Sequence, residues 1–286
     1  MITVGIVVLN FRTYFDTKCF LSSIYNLSKR ESLNIYVVDN DSNASQLEEL
    51  KEECARFNFN IKYLSSSNNL GFANGMNIGI KSARADGCDY IICANSDIVL
   101  PQDFSFYKLI EPALKNINIG MVGPLIKNLD GANQNPLYVE DPFPSTLKIK
   151  FLKAFFLTPI LGKWLFFNKS KFTLFFNLFN VRADKKMQKK SNDNVCTLHG
   201  SFFALTPKYF DFYDGLDSNT FLYVEELILS KRLKAHGMIP LLNRDLTVVH
   251  KEDSATNSLF NSESDKNKFI LTENYKSLCY FFREYI

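Results

Sequence analysis

An α/β fold built on a mainly parallel sheet is what this sequence predicts, on three observations. Short apolar runs alternate with helical patterns through the first half, each run stops on polar residues, and a chain of 286 residues at 46% hydrophobic can bury a large core. Strands are expected near 2–9, 33–38, 60–64 and 89–94, with helices near 17–28, 45–57 and 72–86 between them. This alternation implies βαβ units with right-handed crossovers. In such sheets ligands bind in the crevice beyond the carboxyl ends of the strands.

Those ends are polar in a consistent way. The first run gives Asn10-Phe11-Arg12, the second Asp39-Asn40-Asp41-Ser42-Asn43, the third Ser65-Ser66-Ser67-Asn68-Asn69 and the fourth Asn95-Ser96-Asp97. A carboxylate such as Asp39 can accept hydrogen bonds from a pyrimidine imide or a ribose. Each loop taken singly reads equally well as an Asx-turn or a helix cap. After the third strand, Gly71, Gly75, Gly79 and Ala83 fall on one helical stripe, which lets the helix backbone approach the sheet or a bound nucleotide. The stripe is not a GxGxxG fingerprint. Close packing explains its glycines well, and Asn69, Asn74 and Asn77 less well.

Further on, 101–116 reads as a helix, 119–126 as a strand, and Asp130-Gly131 as a hairpin turn. Asp141-Pro142-Phe143-Pro144 marks a boundary. Between Leu147 and Lys190 stand eleven basic residues against one acid, Asp184, so this aromatic-rich stretch carries +10 and leaves the rest of the chain at about −7. It can lie in a membrane interface with its lysines on anionic lipid, or pack on the main domain with its lysines turned outward. It has no RNP-type or helix-turn-helix pattern, and no nucleic acid partner is expected. β character returns from Val195 to Leu205, again at Leu246-Thr247-Val248-Val249-His250, and 264–285 reads as a terminal helix. His199 and His236 are expected to be structural.

The six cysteines form no CxxC pair and no metal-ligand spacing, and read as reduced core residues of a cytosolic protein. The N-terminal run lacks a basic n-region and a cleavage site, and reads as a strand. The most apolar stretch, 151–167, is broken by Lys153, Pro159 and Lys163, whereas a spanning helix needs roughly 20 apolar residues.

Val37-Val38-Asp39-Asn40-Asp41-Ser42, then Asn69-Leu70-Gly71-Phe72-Ala73-Asn74-Gly75-Met76-Asn77-Ile78-Gly79, then Ala94-Asn95-Ser96-Asp97 resembles the nucleotide-binding half of a family 2 glycosyltransferase with a GT-A fold, in the pattern of the rhamnosyltransferase-like enzymes of bacterial O-antigen and capsule synthesis. Gly200 resembles the glycine beside the donor sugar, and Gly215-Leu216-Asp217 and Phe221-Leu222-Tyr223-Val224-Glu225-Glu226, with Arg232 and Gly237 following, resemble the acceptor half. The resemblance implies that Asp39 holds the base, that Asn69 and Gly71 flank the nucleotide, and that Asp97 and His250 bind Mn²⁺ or Mg²⁺. It makes Glu226 the base that takes the acceptor's proton. Asn95 replaces a first aspartate, and Ile228 stands where a third acid is common. Adjacent helix residues project about 100° apart, so Glu225 is read separately, as a helix-start residue or a hydrogen-bonder to the acceptor. Asn10, Asn40, Ser42, Asn74, Asn95, Ser96 and Gly200 complete the expected nucleotide-sugar contacts.

The expected organisation is a nucleotide-sugar half (1–140), a basic insert (141–192), a catalytic half (193–260) and a terminal helix (261–286). The resemblance implies an inverting, metal-dependent enzyme that moves a sugar from a UDP- or dTDP-sugar to a lipid-linked saccharide, on the inner face of the cytoplasmic membrane. A nucleotidyltransferase would share the sheet but should carry a glycine-rich, basic loop after the first strand. A non-catalytic glycan-binding relative would tolerate Asn95 and Ile228.

Overall fold

A computed structural model describes residues 2–27, 31–41, 43–57, 59–142, 153, 154, 156, 158, 196–252 and 262–286. The basic stretch 147–190 and Ser42 therefore lie almost wholly, and wholly, outside the described residues.

Eight strands form one sheet in the order β3-β2-β1-β4-β7-β6-β8-β5. β1 (Val4–Asn10), β2 (Leu33–Asn40), β3 (Asn60–Ser66) and β4 (Tyr90–Asn95) make its parallel half. β7 (Phe202–Leu205) runs antiparallel to both β4 and β6 (Ile119–Lys127), while β6 pairs parallel with β8 (Ile239–His250). The two-residue β5 (Ile98–Val99) closes the edge against β8.

Helices α1 (Tyr14–Tyr25) and α2 (Ala44–Cys54) cover one face and α3 (Phe72–Ala85) the other. That division follows from handedness. The chain steps outward from β1 to β3, then jumps back over β1 to β4, so right-handed crossovers must put α3 on the opposite side. The reversal falls between β1 and β4, where ligands bind in open α/β sheets.

Period-2 alternation feeds two cores. Val4, Ile6 and Val8 pack with Phe20, Leu21 and Ile24 of α1, whereas Val7 and Val38 meet Ala73, Met76 and Ile80 of α3. The small-residue stripe of α3 is packing: an added Cβ would lie 2.6 Å from Leu9 Cδ1 at Gly75 and 2.3 Å from Val7 Cγ1 at Gly79. A third cluster joins α6 (Glu225–Ala235) to the terminal α7 (Glu263–Glu284) through Ile228, Phe281 and Phe282.

In the second half of the chain three expected boundaries move. The helix read over 101–116 is α4 (Phe106–Lys115), because Ser105 caps it by accepting from Lys108 N–H. The strand expected over 195–205 narrows to β7, followed by the single turn α5 (Pro207–Phe210). The strand expected at 246–250 is the end of the much longer β8. The turn at Asp130-Gly131 is present, with Gly131 at φ 79° and its N–H on Asn128 O.

Candidate active site

From β2 to the start of α6, the carboxyl rim of the sheet carries a chain of neighbouring polar residues, joined by hydrogen bonds, by sequence adjacency and by one ring contact. Asp39 ends β2 fully buried; its Oδ1 accepts from Asn10 Nδ2 at 2.7 Å, and Tyr14 OH donates to both oxygens. Asn10 Oδ1 receives the Thr13 N–H and the Thr13 and Thr17 hydroxyls. Thr13 Oγ1 stands 2.7 Å from Ser96 Oγ. Next to Ser96, Asp97 is 6% exposed and its Oδ1 faces His250 Nε2 at 3.3 Å. The His250 ring lies edge-on to His199, centroids 5.5 Å apart. Beyond His199, Gly200 packs on Glu226, so closely that an added Cβ would lie 2.7 Å from Glu226 Oε1. Asp39, Asp97, His250 and Glu226, far apart in sequence, thus share one rim.

The remaining amides bond to one another and to backbone groups. Asn40 Nδ2 donates to Asn69 Oδ1 and to Gly71 O, each at 3.1 Å, and its Oδ1 accepts from Leu70 N–H. Asn69 Oδ1 also accepts from Gly71 N–H. Asn74 Nδ2 donates to Ser218 O, and Asn77 exchanges two bonds with Leu216. Gly71 sits at φ 81°, where an added Cβ would be 2.1 Å from Phe221 O, and Phe72 N–H donates to that same carbonyl. These residues tie α3 to the segment 215–221. Asn95 contributes its backbone, donating to Ser201 O at 2.8 Å to align β4 with the start of β7.

That tied segment leads into the acid pair. Tyr223 (φ 70°) and Val224 (φ 73°) are consecutive left-handed residues, and Val224 is the cap of α6. A β-branched residue in that conformation is strained, and such strain gathers at functional sites. Glu225 and Glu226 follow, half-buried, and line one cavity of about 20 Å³ with Asp217, Arg232 and Gly200. Burial first, and the Glu226 charge second, push the Glu225 carboxyl up to about 8, against the backbone N–H groups of Glu225 and Tyr223. Burial raises Glu226 too, opposed by its own N–H and that of Gly200. Glu225 Oε1 is buried with no hydrogen-bond partner among the described residues. The sequence argument separated the two acids by 100°, yet both line the same small space.

Asp97 and His250 have the chemistry of a cation site. Gln134 Nε2 donates to Glu252 Oε1, which leaves Gln134 Oε1, 3.0 Å from His250 Nδ1, to accept the ring proton. Nε2 then turns its lone pair toward the carboxylate, an arrangement held together by a proton or a cation between them. A carboxylate oxygen and a neutral imidazole suit Mn²⁺ or Mg²⁺. Among the described residues no three His, Cys, Asp or Glu side chains are placed to hold a metal ion; of these residues Asp97 and His250 would be two of its ligands.

The family model for glycosyl transferase family 2 matches residues 15–208. The chain belongs to that family. Two poly-β-1,6-N-acetyl-D-glucosamine synthases of Staphylococcus epidermidis are 34% and 33% identical over 112 residues, 38% of this chain and 25% of each relative. The chain thus matches only a quarter of the length of these curated relatives. Among solved structures, GalNAc-T7 with UDP, GalNAc and Mn²⁺ superposes at TM-score 0.59 with 16% identity, over 96% of this chain and 50% of that one. TarS of S. aureus gives 0.52 with 11% identity, over 94% and 42%. The fold is GT-A.

Within this family 2 frame, sequence reasoning missed several residues. Tyr14 was hidden because the first helix was expected three residues too late; it begins at Tyr14, whose hydroxyl reaches Asp39. His199, expected to be structural, touches His250, and burial first and His250 second lower its pKa to about 4, with Asp97 opposing. Its place before Gly200 was the available signal. Arg232 and Asp217, noted as pattern residues, form a buried ion pair at 3.1 Å that also engages Tyr285 of α7.

Proposed function

We propose that this family 2 chain is an inverting glycosyltransferase that moves a sugar from a UDP- or dTDP-sugar to a lipid-linked saccharide in cell-surface polysaccharide synthesis. The reading rests on one observation, the strip that joins Asp39, Asp97, His250 and Glu226 along one rim of the sheet. Asp39 holds the base once Tyr14 OH yields its place. Asp97 Oδ1 and His250 Nε2 hold the divalent ion, which when bound supplies neutralisation of the diphosphate. Glu226 takes the acceptor hydroxyl's proton as that oxygen bonds to the anomeric carbon and the bonding pair to phosphate leaves with the diphosphate. A carboxyl raised toward neutral pH is a stronger base once ionised. Glu225 carries the pair's shared proton beside it, with Oε1 buried and without a hydrogen-bond partner among the described residues.

The names of the Staphylococcus epidermidis relatives support a polysaccharide product. Peripheral attachment to the cytoplasmic face of the membrane is supported by the basic, aromatic sequence of 147–190 and by the absence, among the described residues, of a helix long and apolar enough to cross a bilayer.

The test is turnover of a panel of nucleoside-diphosphate sugars by the purified chain with Mn²⁺, with and without saccharide acceptors. Glu226→Gln should abolish transfer while UDP still binds, and Asp97→Ala should remove the Mn²⁺-dependent part of UDP binding. No turnover with any donor, with UDP affinity indifferent to Asp97→Ala, would leave a non-catalytic glycan-binding relative as the better account.

A further inference from the structure

On the far side of segment 215–221 from α3, a cavity of about 440 Å³ opens against α7, walled by Asn219, Thr220, Phe221, Glu273, Lys276 and Ser277. None of these residues belongs to the strip described above, and all lie beyond the family match, which ends at residue 208. The volume is in the range of small-molecule sites. We propose that this cavity is a subsite for one neutral sugar ring of the acceptor saccharide, a proposal that rests on the chain being a sugar transferase.

Its chemistry suits an uncharged, hydroxyl-rich ligand. Glu273, 7% exposed, is paired with Lys276 Nζ at 2.7 Å, so the wall offers a carboxylate without a net charge that would attract phosphate. Thr220 is 3% exposed, and its Oγ1 has no hydrogen-bond partner among the described residues. A buried hydroxyl left unsatisfied is costly. One χ1 rotation exchanges its methyl and hydroxyl positions, bringing the oxygen to a ligand in the cavity. Phe221 adds an aromatic surface for the C–H face of a pyranose, braced by Phe269 at 6.4 Å.

Its place in the fold suits an acceptor. The wall segment is held on its other side by Asn74 at Ser218 O and by Phe72 at Phe221 O, and it runs directly into the strained turn and the Glu225–Glu226 pair. Ser277 Oγ, donating to Leu222 O at 2.7 Å, fixes α7 to the same turn. A sugar in this cavity sits on the loop that positions the proton acceptor, on the side away from Asp39.

The experiment uses saturation-transfer NMR with the methyl glycosides of glucose, galactose and N-acetylglucosamine on the full chain with UDP and Mn²⁺, comparing wild type, Thr220→Val and Glu273→Gln. At least one glycoside should give a signal that falls about five- to tenfold in each variant. UDP affinity by calorimetry should not change, and Thr220→Val should melt at or above the wild-type temperature, because it deletes an unsatisfied hydroxyl. No glycoside signal in the wild type, equal signals in all three proteins, or a lowered melting temperature for Thr220→Val would overturn the subsite. Failure of the wild type to bind UDP, with glycoside signals behaving as expected, would instead overturn the transferase reading and keep the sugar site.

Discussion

Replacing Glu225 by glutamine should make the protein more stable, and by an amount that depends on pH. Burial, with the Glu226 charge second, lifts this carboxyl from its ordinary 4.5 to about 8 in the folded protein. Below pH 4.5 both folded and unfolded chains hold the proton, and the group's favourable contribution is fully present. Between the two values the folded protein keeps a proton that the unfolded chain has released, so stability falls as pH rises, and above about 8 the contribution is gone. The limiting slope is about 1.4 kcal/mol per pH unit, and partial exposure brings the expected value nearer about 1 kcal/mol per unit. Glutamine has the shape of the protonated acid and no charge to release. Urea unfolding of wild type and Glu225→Gln at half-unit steps between pH 4.5 and 8.5 isolates the titration of the acid pair, since titrations away from Glu225 and Glu226 cancel in the difference. The two curves should meet near pH 4.5 and separate by about 2–3 kcal/mol at pH 8, glutamine the more stable. A difference that stays constant across the range would refute the shared-proton account of the acid pair.

Four other perturbations test the remaining joints. Gly71→Ala, at φ 81° with Phe221 O in the way, should cost about 3 kcal/mol or more in urea unfolding, and an unchanged midpoint would contradict the close approach. Arg232→Met leaves Asp217 buried without its cation and should cost about 3–5 kcal/mol, partly recovered in Asp217→Asn/Arg232→Met; no recovery would mean the pair is not coupled. Gly200→Ala should displace Glu226 and lower turnover about a hundredfold with melting nearly unchanged, and wild-type turnover would remove that contact from the mechanism. Gln134→Leu should weaken Mn²⁺ binding in the presence of UDP about 10- to 100-fold by calorimetry, because it frees the His250 tautomer; equal affinity would place the ion elsewhere.

The parallel half of the sheet was legible because β1, β2 and β4 are buried apolar runs with polar ends, and the edge strand β3 alternates apolar and polar residues ahead of its serines. In the second half β6 was as legible, at Ile119–Lys127 against the expected 119–126, but β7 and β8 were not, for local reasons. β8 passes through Asn243-Arg244-Asp245, which breaks the apolar pattern, and its pairing with β6 skips from Pro124↔Asn243 to Leu125↔Thr247, so the polar residues sit in a bulge. β7 is short because its four buried residues bridge two antiparallel neighbours, a non-local arrangement with no signature of its own. At the candidate site, Asp39, Asp97 and His250 stand at or just beyond strand ends, where the sequence pattern picks them out, while Glu225 and Glu226 open a helix. The amides could be detected but not assigned, since an asparagine that binds a nucleotide and one that binds a backbone present the same donor and acceptor.

That ambiguity has a physical resolution in the strained turn ahead of α6. Two successive left-handed residues, Tyr223 and Val224, cost on the order of 1–3 kcal/mol each and persist only where their surroundings over-determine them. The surroundings here are the very amides that looked like nucleotide contacts. Asn77 fixes Leu216, Asn74 fixes Ser218, and Phe72, positioned by Gly71 and the Asn40–Asn69 pair, fixes Phe221. From the other side Ser277 fixes Leu222. Held at both flanks, the chain enters α6 through the strained turn and delivers Glu225 and Glu226 to one cavity beside Gly200. Asn40, Asn69, Asn74 and Asn77 therefore help hold Glu225 and Glu226 in a geometry that an unrestrained helix start would relax.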